Sequence, residues 1–331
     1  MGVHSFGGMR GIPARAHFCW LGASLPWAYV FAVLSAAEKS ELTEIILHHT
    51  DALDDDARLR ALELCPRVRL SRLDPIACLM KAGRALDAGD GLAAIYRALD
   101  DPVIRSDVLR AAILYLHGGV YLDLDTVTTA SLLPLLGARQ FVGCEFIVWP
   151  HFVRSSRSPI VRCRALTLDV LRKMMRRVPR GWQMFRRVER FYYRGINNAV
   201  MGAEANSRLC ELYLRAMVAM PPERYPLPYA LGPDLLQEVV DGYSEDDLVV
   251  AEPHVFYPLP PEISEHWFRV SRAVRLEAVL PTQTRVVHWY ASVRTRSKIA
   301  AIDPQYVREH RDRQLYSALV CSCIRDLPEA T

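Results

Sequence analysis

Apolar positions along this chain change period again and again. Short alternating or continuous apolar runs are separated by longer stretches in which apolar residues recur every third or fourth position. The short runs predict strands over 14–20, 44–49, 67–73, 120–124, 140–146, 196–203 and 286–289. The longer stretches predict helices over about 27–38, in pieces near 57–64, 76–87 and 91–99, and then from Pro102 to about His117. In that last helix Leu109, Ala112, Ile113 and Leu116 form an apolar stripe, which puts Ser106, Asp107 and Arg110 on or near the exposed side. Gly118-Gly119 then stops it. Further helices are expected over 205–219 and 233–241, with a polar helical region over 303–325. Proline-rich runs at 221–228 and 258–261 read as loops. Strands alternating with helices predict an α/β domain with a mostly parallel central sheet flanked by helices.

Open parallel sheets bind ligands at the carboxyl ends of their strands. That rule directs attention to Val120-Tyr121-Leu122-Asp123-Leu124-Asp125, directly after the Gly-Gly turn. Residues at i and i+2 of a strand point the same way. Where a strand opens into a loop, two such carboxylates can hold a hard divalent cation, which prefers oxygen and often shares its ligands with phosphates. Asp-x-Asp alone is equally the sequence of many solvated turns, so the flanks must decide.

Composition narrows the class. With 331 residues, 51% apolar and 24% charged, the chain has the content of an ordinary globular protein. The net charge of +4 hides an uneven spread: 154–194 holds 13 Lys/Arg against 2 acids, and the remainder is net acidic. That basic segment looks helical and contains Trp182, Phe185, Phe191, Tyr192 and Tyr193. It reads either as a solvated helix face with its aromatics in the core, or as a patch for an anionic membrane surface or an acidic acceptor. No nucleic-acid-binding motif accompanies the charge. The eight cysteines are scattered among apolar neighbours and read as reduced thiols, with no zinc spacing after Cys321-x-Cys323. Residues 18–37 form an uncharged stretch of membrane-span length, but Gly22, Ser24 and Pro26 in its first half read as a turn between strand and helix.

The block Arg105-Ser-Asp-Val-Leu-Arg-Ala-Ala-Ile-Leu-Tyr-Leu-His-Gly-Gly-Val-Tyr-Leu-Asp-Leu-Asp125 resembles the DXD sugar-binding region of glycosyltransferase family 32, a signature shared in related form by the large glucosylating toxins. Ile12-Pro-Ala-Arg-Ala-His17-Phe-Cys-Trp20-Leu-Gly22 is similar to that family's opening strand. Asn197-Asn198-Ala-Val-Met-Gly, Leu231-Gly232-Pro233, Val255-Phe-Tyr-Pro258 and Val287-His288-Trp289 resemble its later blocks, in order, over roughly residues 12–293.

The resemblance implies a GT-A-type single domain, a divalent ion (Mn²⁺ or Mg²⁺) and a nucleotide-sugar donor. On it, 1–11 are a flexible leader, 12–300 the catalytic domain with a basic helical insertion at about 154–194, and 301–331 a C-terminal helical extension. Asp125 would bind the metal, Asp123 would assist it and touch the donor, and His288 would complete the metal shell. Asp107 and Arg110 would hydrogen-bond the donor sugar, Trp20 would lie against the nucleobase, and Asn198 and Ser292 would contact sugar or diphosphate. Each has a plainer reading: Trp20 as core, His288 as a satisfied histidine, Asn198 as a turn residue, Asp107–Arg110 as a helix ion pair. His48-His49 reads as packing or exposed strand end. The implied reaction is retaining transfer of a hexose from a nucleotide-diphosphate sugar, with a lean to UDP, to a saccharide, lipid-linked or other hydroxyl acceptor, and the implied role is polysaccharide biosynthesis. The implied place is the cytoplasm, at most peripheral to the inner face of the membrane. Two departures stand out: Val293 replaces an aromatic after Ser292, so that Tyr290 or Arg294 would have to do its work, and Leu231 replaces a threonine. Two other functions stay open. Asp123-Leu-Asp125-Thr126 also looks like a haloacid-dehalogenase phosphatase signature with Asp123 as nucleophile, and a non-catalytic nucleotide-sugar binder would keep the same residues.

Overall fold

The computed structural model describes residues 11–291 and 295–329. The leader expected over 1–11 therefore lies, all but Gly11, outside the described residues, as do Ser292, Val293 and Arg294.

The strands are β1 (Arg15–Trp20), β2 (Glu44–His49), β3 (Val68–Arg72), β4 (Gly119–Leu122), β5 (Thr126–Thr128), β6 (Gln140–Ile147), β7 (Tyr193–Ala203), β8 (Leu248–Ala251) and β9 (Val286–His288). Seven form one sheet in the order β3-β2-β1-β4-β7-β6-β8. All run the same way except β7, which is antiparallel to both β4 and β6. The mostly parallel α/β sheet expected from the alternation is thus present, with one reversed strand at its centre. β5 and β9 pair separately.

The early helices are α1 (Trp27–Lys39), α2 (Ala57–Glu63), α3 (Pro75–Ala85), α4 (Gly91–Ala98) and α5 (Pro102–His117). The basic segment forms α6 (His151–Ser155), α7 (Pro159–Arg177) and α8 (Gly181–Val188). Then come α9 (Arg208–Ala219), α10 (Pro233–Asp241), α11 (Pro253–Phe256), α12 (Arg296–Ile299), α13 (Pro304–His310) and α14 (Leu315–Cys323). Residues 18–37, long enough for a span, are the end of β1, a loop and α1. Among the described residues no helix is long and apolar enough to cross a membrane.

Strand alternation divides the core between the two faces of the sheet. Phe18, Val120, Leu122 and Phe141 face one way, with α1, α7, α8 and α14. Cys19, Tyr121, Val142 and Met201 face the other, with α3, α4, α5, α9 and α10. Pairs of prolines and aspartates start helices where expected: Asp101 caps α5 by accepting from Val103 N, and Pro102 follows at its first position. All eight cysteines are free.

The turn from α5 into β4 is built around glycine. Gly119 has φ +116°, and a Cβ there would sit 2.8 Å from Arg15 Cγ and 3.0 Å from His17 Nε2. His17 fastens the same turn by donating from Nε2 to the Gly118 carbonyl at 2.9 Å. Its Nδ1 is then an acceptor, so His48 Nε2 must donate to it, at 3.0 Å. His48 is packing, as expected, but it packs as one end of a buried imidazole chain whose last atom, Nδ1, has no partner.

Burial depresses both imidazoles, His17 to about 4 and His48 to about 3, against 6.5. The unfolded chain takes up protons as pH falls through 6.5, while the folded chain does so only near 4 or below. Stability is therefore full above 6.5 and falls as pH drops toward 4, by roughly 3 kcal/mol for His17 alone. His48→Gln keeps a donor to His17 Nδ1 and titrates one group fewer. Its urea midpoint is expected to fall less steeply between pH 7 and 5 than that of the wild type; equal slopes would contradict this.

Candidate active site

β4 ends at Leu122, one residue earlier than Asp123, so the two aspartates sit in the turn between β4 and β5 rather than within a strand. Thr126 Oγ1 donates to the Asp123 carbonyl at 2.7 Å and tightens that turn. The separate β5–β9 pair has a clear consequence. It sets Thr126 opposite His288, and Trp289 N donates to the Asp125 carbonyl at 3.0 Å. A histidine 163 positions away is thereby brought to Asp125, with Nε2 2.9 Å from Oδ1. The other Asp125 oxygen accepts from Ala291 N at 2.7 Å.

Ligand atoms of Asp123, Asp125 and His288 all lie within 4.8 Å of one another. Two carboxylate oxygens and one imidazole nitrogen suit Mn²⁺ or Mg²⁺. His288 Nδ1 is buried without a partner, so the ring is held by Asp125 and packing alone. Its neighbour Tyr290 lies 4.1 Å away, ring to ring. The residues therefore fit such an ion.

α5 supplies the second half of the site, and here the expectation of an exposed polar face is corrected. Asp107 is 7% and Arg110 3% exposed. The reason is mutual neutralisation. Arg110 forks onto both Asp123 oxygens, at 2.9 and 3.2 Å, reaches Asp107 Oδ1 at 3.2 Å and donates to the Asn198 carbonyl at 2.6 Å. It also lies over the Tyr121 ring. With both terminal nitrogens partnered and only Nε left without one, the guanidinium can be buried. Both Asp123 oxygens are engaged by this fork, which does not offer Asp123 as the free nucleophile of a phosphatase.

β7 brings in the asparagines. Its pairing with β6 jumps from Val142↔Met201 to Gly143↔Asn197, so residues 198–200 bulge out of that ladder. Asn198 Nδ2 donates to Asp107 Oδ1 at 2.8 Å, and Asn197 Nδ2 to Glu145 at 2.9 Å. Gly232, in the loop before α10, closes on the same spot: a Cβ there would meet Asp107 Oδ2 at 2.7 Å.

These groups line a cleft of about 330 Å³, within the roughly 300–1,000 Å³ of small-molecule sites. Asp107, Arg110, Asp123, Asp125, Asn198 and His288 all face it. Trp20 does not. It stands at the end of β1 against Tyr29, which in turn stacks on Trp289. The expectation for Ser292 falls outside the described residues. Three cleft residues escaped the sequence reading or were only touched by it: Glu145, Asn197 and Tyr290. Glu145 accepts from Asn197 and from the Tyr290 hydroxyl. A single acid inside the apolar run of β6 was the signal available for it.

Electrostatics separates the carboxylates. Burial pushes Asp123 up to about 6, against the pull of Arg110. Burial acts on Asp125 too, but the His288 charge and hydrogen bond and the Ala291 N–H outweigh it and hold the carboxyl below its usual range. Burial works against the His288 imidazolium, and Asp125 more than compensates, so its pKa is raised. Asp107 and Glu145 are both raised by burial. The cleft thus gathers the carboxyl groups of Asp107, Asp123, Asp125 and Glu145 with the Arg110 guanidinium and the His288 imidazole within a small volume.

Residues 84–142 match the family described as "Glycosyltransferase sugar-binding region containing DXD motif". That span holds α5, the Gly-Gly turn, Asp123 and Asp125. No curated protein matches the chain. Among solved structures, the chain is similar to PaToxG glycosyltransferase, at 12% identity and TM-score 0.40 over 70% of each chain. It is also similar to the galactosyltransferase LgtC in complex with donor and acceptor sugar analogues, at 14% and 0.38 over 95% of this chain and 98% of that one. A third is mouse xyloside xylosyltransferase 1, at 12% and 0.41 over 83% and 96%. These likenesses are too distant to assign this chain's chemistry.

Proposed function

We propose that this chain, whose residues 84–142 match the DXD sugar-binding region of glycosyltransferases, moves a hexose from a nucleotide-diphosphate sugar to an acceptor hydroxyl with the help of a divalent ion. UDP is the first candidate nucleotide. The observation that carries this reading is the convergence of Asp123, Asp125 and His288 beside the buried Asp107–Arg110–Asn198 cluster.

Asp125, His288 and Asp123 would hold Mn²⁺ or Mg²⁺. Such an ion, when bound, draws charge from a departing diphosphate. The protein's own residues do the rest. Arg110 fixes both oxygens of Asp123 and one of Asp107, so its contribution is position and charge rather than a free N–H. Asp107 Oδ2 and the Asn198 amide flank the space where sugar hydroxyls would be gripped. Trp20, outside the cleft, serves the nucleobase only through the region of Tyr29 and Trp289. Ser292 remains assigned to the diphosphate. Tyr290 takes the place of the aromatic lost at Val293.

Retention of configuration follows from a front-face exchange. The bond from the anomeric carbon to the diphosphate breaks, the acceptor oxygen bonds to the same face, and its proton passes to the leaving diphosphate. Glu145 supports this choice, because both its oxygens are engaged by Asn197 and Tyr290. Acceptors in this reading are saccharide or lipid-linked hydroxyls, with 154–194 in peripheral contact with an anionic membrane. The catalytic unit is 12–300, extended by 301–331.

A panel of nucleotide sugars, each tested for release of its nucleotide diphosphate with Mn²⁺ and with EDTA, checks the proposal. Metal-dependent release from one donor is expected; release from none, or release undiminished by EDTA, contradicts it. Gly232→Ala gives a finer check. Its methyl would push Asp107 by a few tenths of an ångström or more, and kcat/KM is expected to fall by on the order of a hundredfold with the thermal midpoint little changed. An unchanged kcat/KM would remove Asp107 from the donor site.

A further inference from the structure

α7 is amphipathic twice over. Ala165, Leu168 and Met175 turn one stripe into the core. On the far side a second stripe runs Ile160, Cys163, Thr167, Val170, Met174, with Leu171 and Val178 beside it. That spacing is one continuous helical face, and none of the described residues covers it. Ile160 is 79% and Met174 57% exposed, and Val170, Leu171 and Val178 are exposed as well. The aromatics of the segment do not account for this surface. Phe185 and Tyr192 are buried, and Trp182 and Tyr193 pack against the core.

The rim of the stripe is basic. Arg162 and Arg177 border one edge and Arg164 the other, and none has an acidic partner among the described residues, nor do Arg180 and Arg187. Lys173, on the same edge as Arg162 and Arg177, is neutralised by Asp169; the other neutralised cations lie off the rim, Arg172 on Asp169, Arg176 on Glu265 and Arg194 on Glu252. Arg164 donates to the Phe191 carbonyl and lies over the Tyr193 ring, but no carboxylate among the described residues neutralises it. An apolar stripe between arginines without acidic partners is complementary to one environment, an anionic lipid surface, where apolar side chains enter the acyl boundary and guanidinium groups meet phosphates. A second copy of this chain would bring one strongly basic segment against another, and charge opposes it.

We propose that the outer face of α7 is a docking surface for anionic membrane, and that it holds the cleft at the bilayer. Arg172, from the inner side of the same helix, and Trp149, His151 and Arg154 at the foot of the segment line the cleft. The cleft thus lies one helix away from the stripe, within reach of a hydroxyl carried on a membrane-anchored acceptor. Only this last step rests on the transferase reading.

The test uses the whole chain and vesicles without donor. Sedimentation with phosphatidylglycerol-containing vesicles at low salt is expected to carry the protein down, and pure phosphatidylcholine vesicles are expected to leave it in solution. Arg162→Gln and Arg177→Gln should each weaken binding about fivefold. Val170→Ser with Met174→Ser should weaken it by on the order of tenfold or more. Both stripe residues are exposed, so these variants fold, and nucleotide release from the donor in solution should match the wild type. No binding to anionic vesicles at low salt would overturn the proposal. So would wild-type binding by the variants, binding to an acidic protein such as casein but not to vesicles, or a dimer lost on changing the stripe. A protein that binds vesicles but hydrolyses no nucleotide sugar would refute the transferase reading and leave the docking face standing.

Discussion

Asp125→Ala is expected to abolish glycosyl transfer and leave the chain folded. Asp125 is the residue on which the site's separate parts meet. Its carboxylate faces His288 and the Ala291 N–H, and its carbonyl accepts from Trp289 N. The substitution leaves the backbone contact and the β5–β9 pairing intact. It removes one of three ligand groups and the carboxylate that raises the His288 pKa. A neutral imidazole facing the alanine strands no charge, so the cost in stability is modest. The loss in turnover should reach about a thousandfold or more, some 4 kcal/mol at the transition state. Circular dichroism and a thermal scan establish the fold, and release of nucleotide diphosphate gives the rate. A variant with near-wild-type activity would remove Asp125 from the mechanism.

The largest effect on stability is expected at Arg110. Arg110→Met keeps most of the apolar stem and leaves Asp123 and Asp107 in a buried site with no cation between them. Breaking a buried pair by removing one member costs about 3–5 kcal/mol, and here two carboxylates lose the same partner. The sign with pH is opposite to that of the His17–His48 pair. Burial already holds Asp123 up to about 6 with Arg110 in place, and without the guanidinium it rises further. Protonation relieves the unpaired charge, so the gap between variant and wild type should narrow as pH drops from 7.5 to 5.5. Adding Asp123→Asn should restore part of the lost stability at pH 7.5. Urea unfolding of the four proteins gives the coupling directly. Independent, additive costs would contradict the account of why Arg110 is buried.

Much of the frame was legible from hydrophobic period. β1, β2, β4, β6 and α1, α5 and α10 lie within a residue or two of the expected ranges, because each has strong apolar patterning between clear breakers. β5 was not legible: Thr-Val-Thr is too short to show a period, and it exists because β9 pairs with it. The reversal of β7 is likewise a matter of long-range pairing. Its bulge at 198–200 is set by the neighbours on both sides rather than by its own apolar residues. At the site, Asp123, Asp125 and Asp107 could be named from local motif, whereas their burial could not. Charged residues on a helix normally mark its wet face, and Arg110 and Asp107 defy that rule only because Asp123 arrives from the turn after β4 and Asn198 from β7. Trp20 was placed by motif beside the donor, yet it packs against Tyr29 outside the cleft. Glu145 went unseen because one acid in a buried strand has no period to betray it. The +11 of the basic segment was plain in the sequence, but the exposed stripe of α7 needed the fold to show which of two apolar faces is covered.

The central claim is that Asp123, Asp125 and His288 hold a divalent ion that receives the diphosphate of a nucleotide sugar. Titration of Mn²⁺ followed by its paramagnetic resonance signal, with and without UDP, tests this without requiring turnover or an acceptor. The account predicts one site per chain in the wild type, tightened by the nucleotide, and no such site in Asp125→Ala. Equal Mn²⁺ binding by the two proteins, with the same response to the nucleotide, would contradict it.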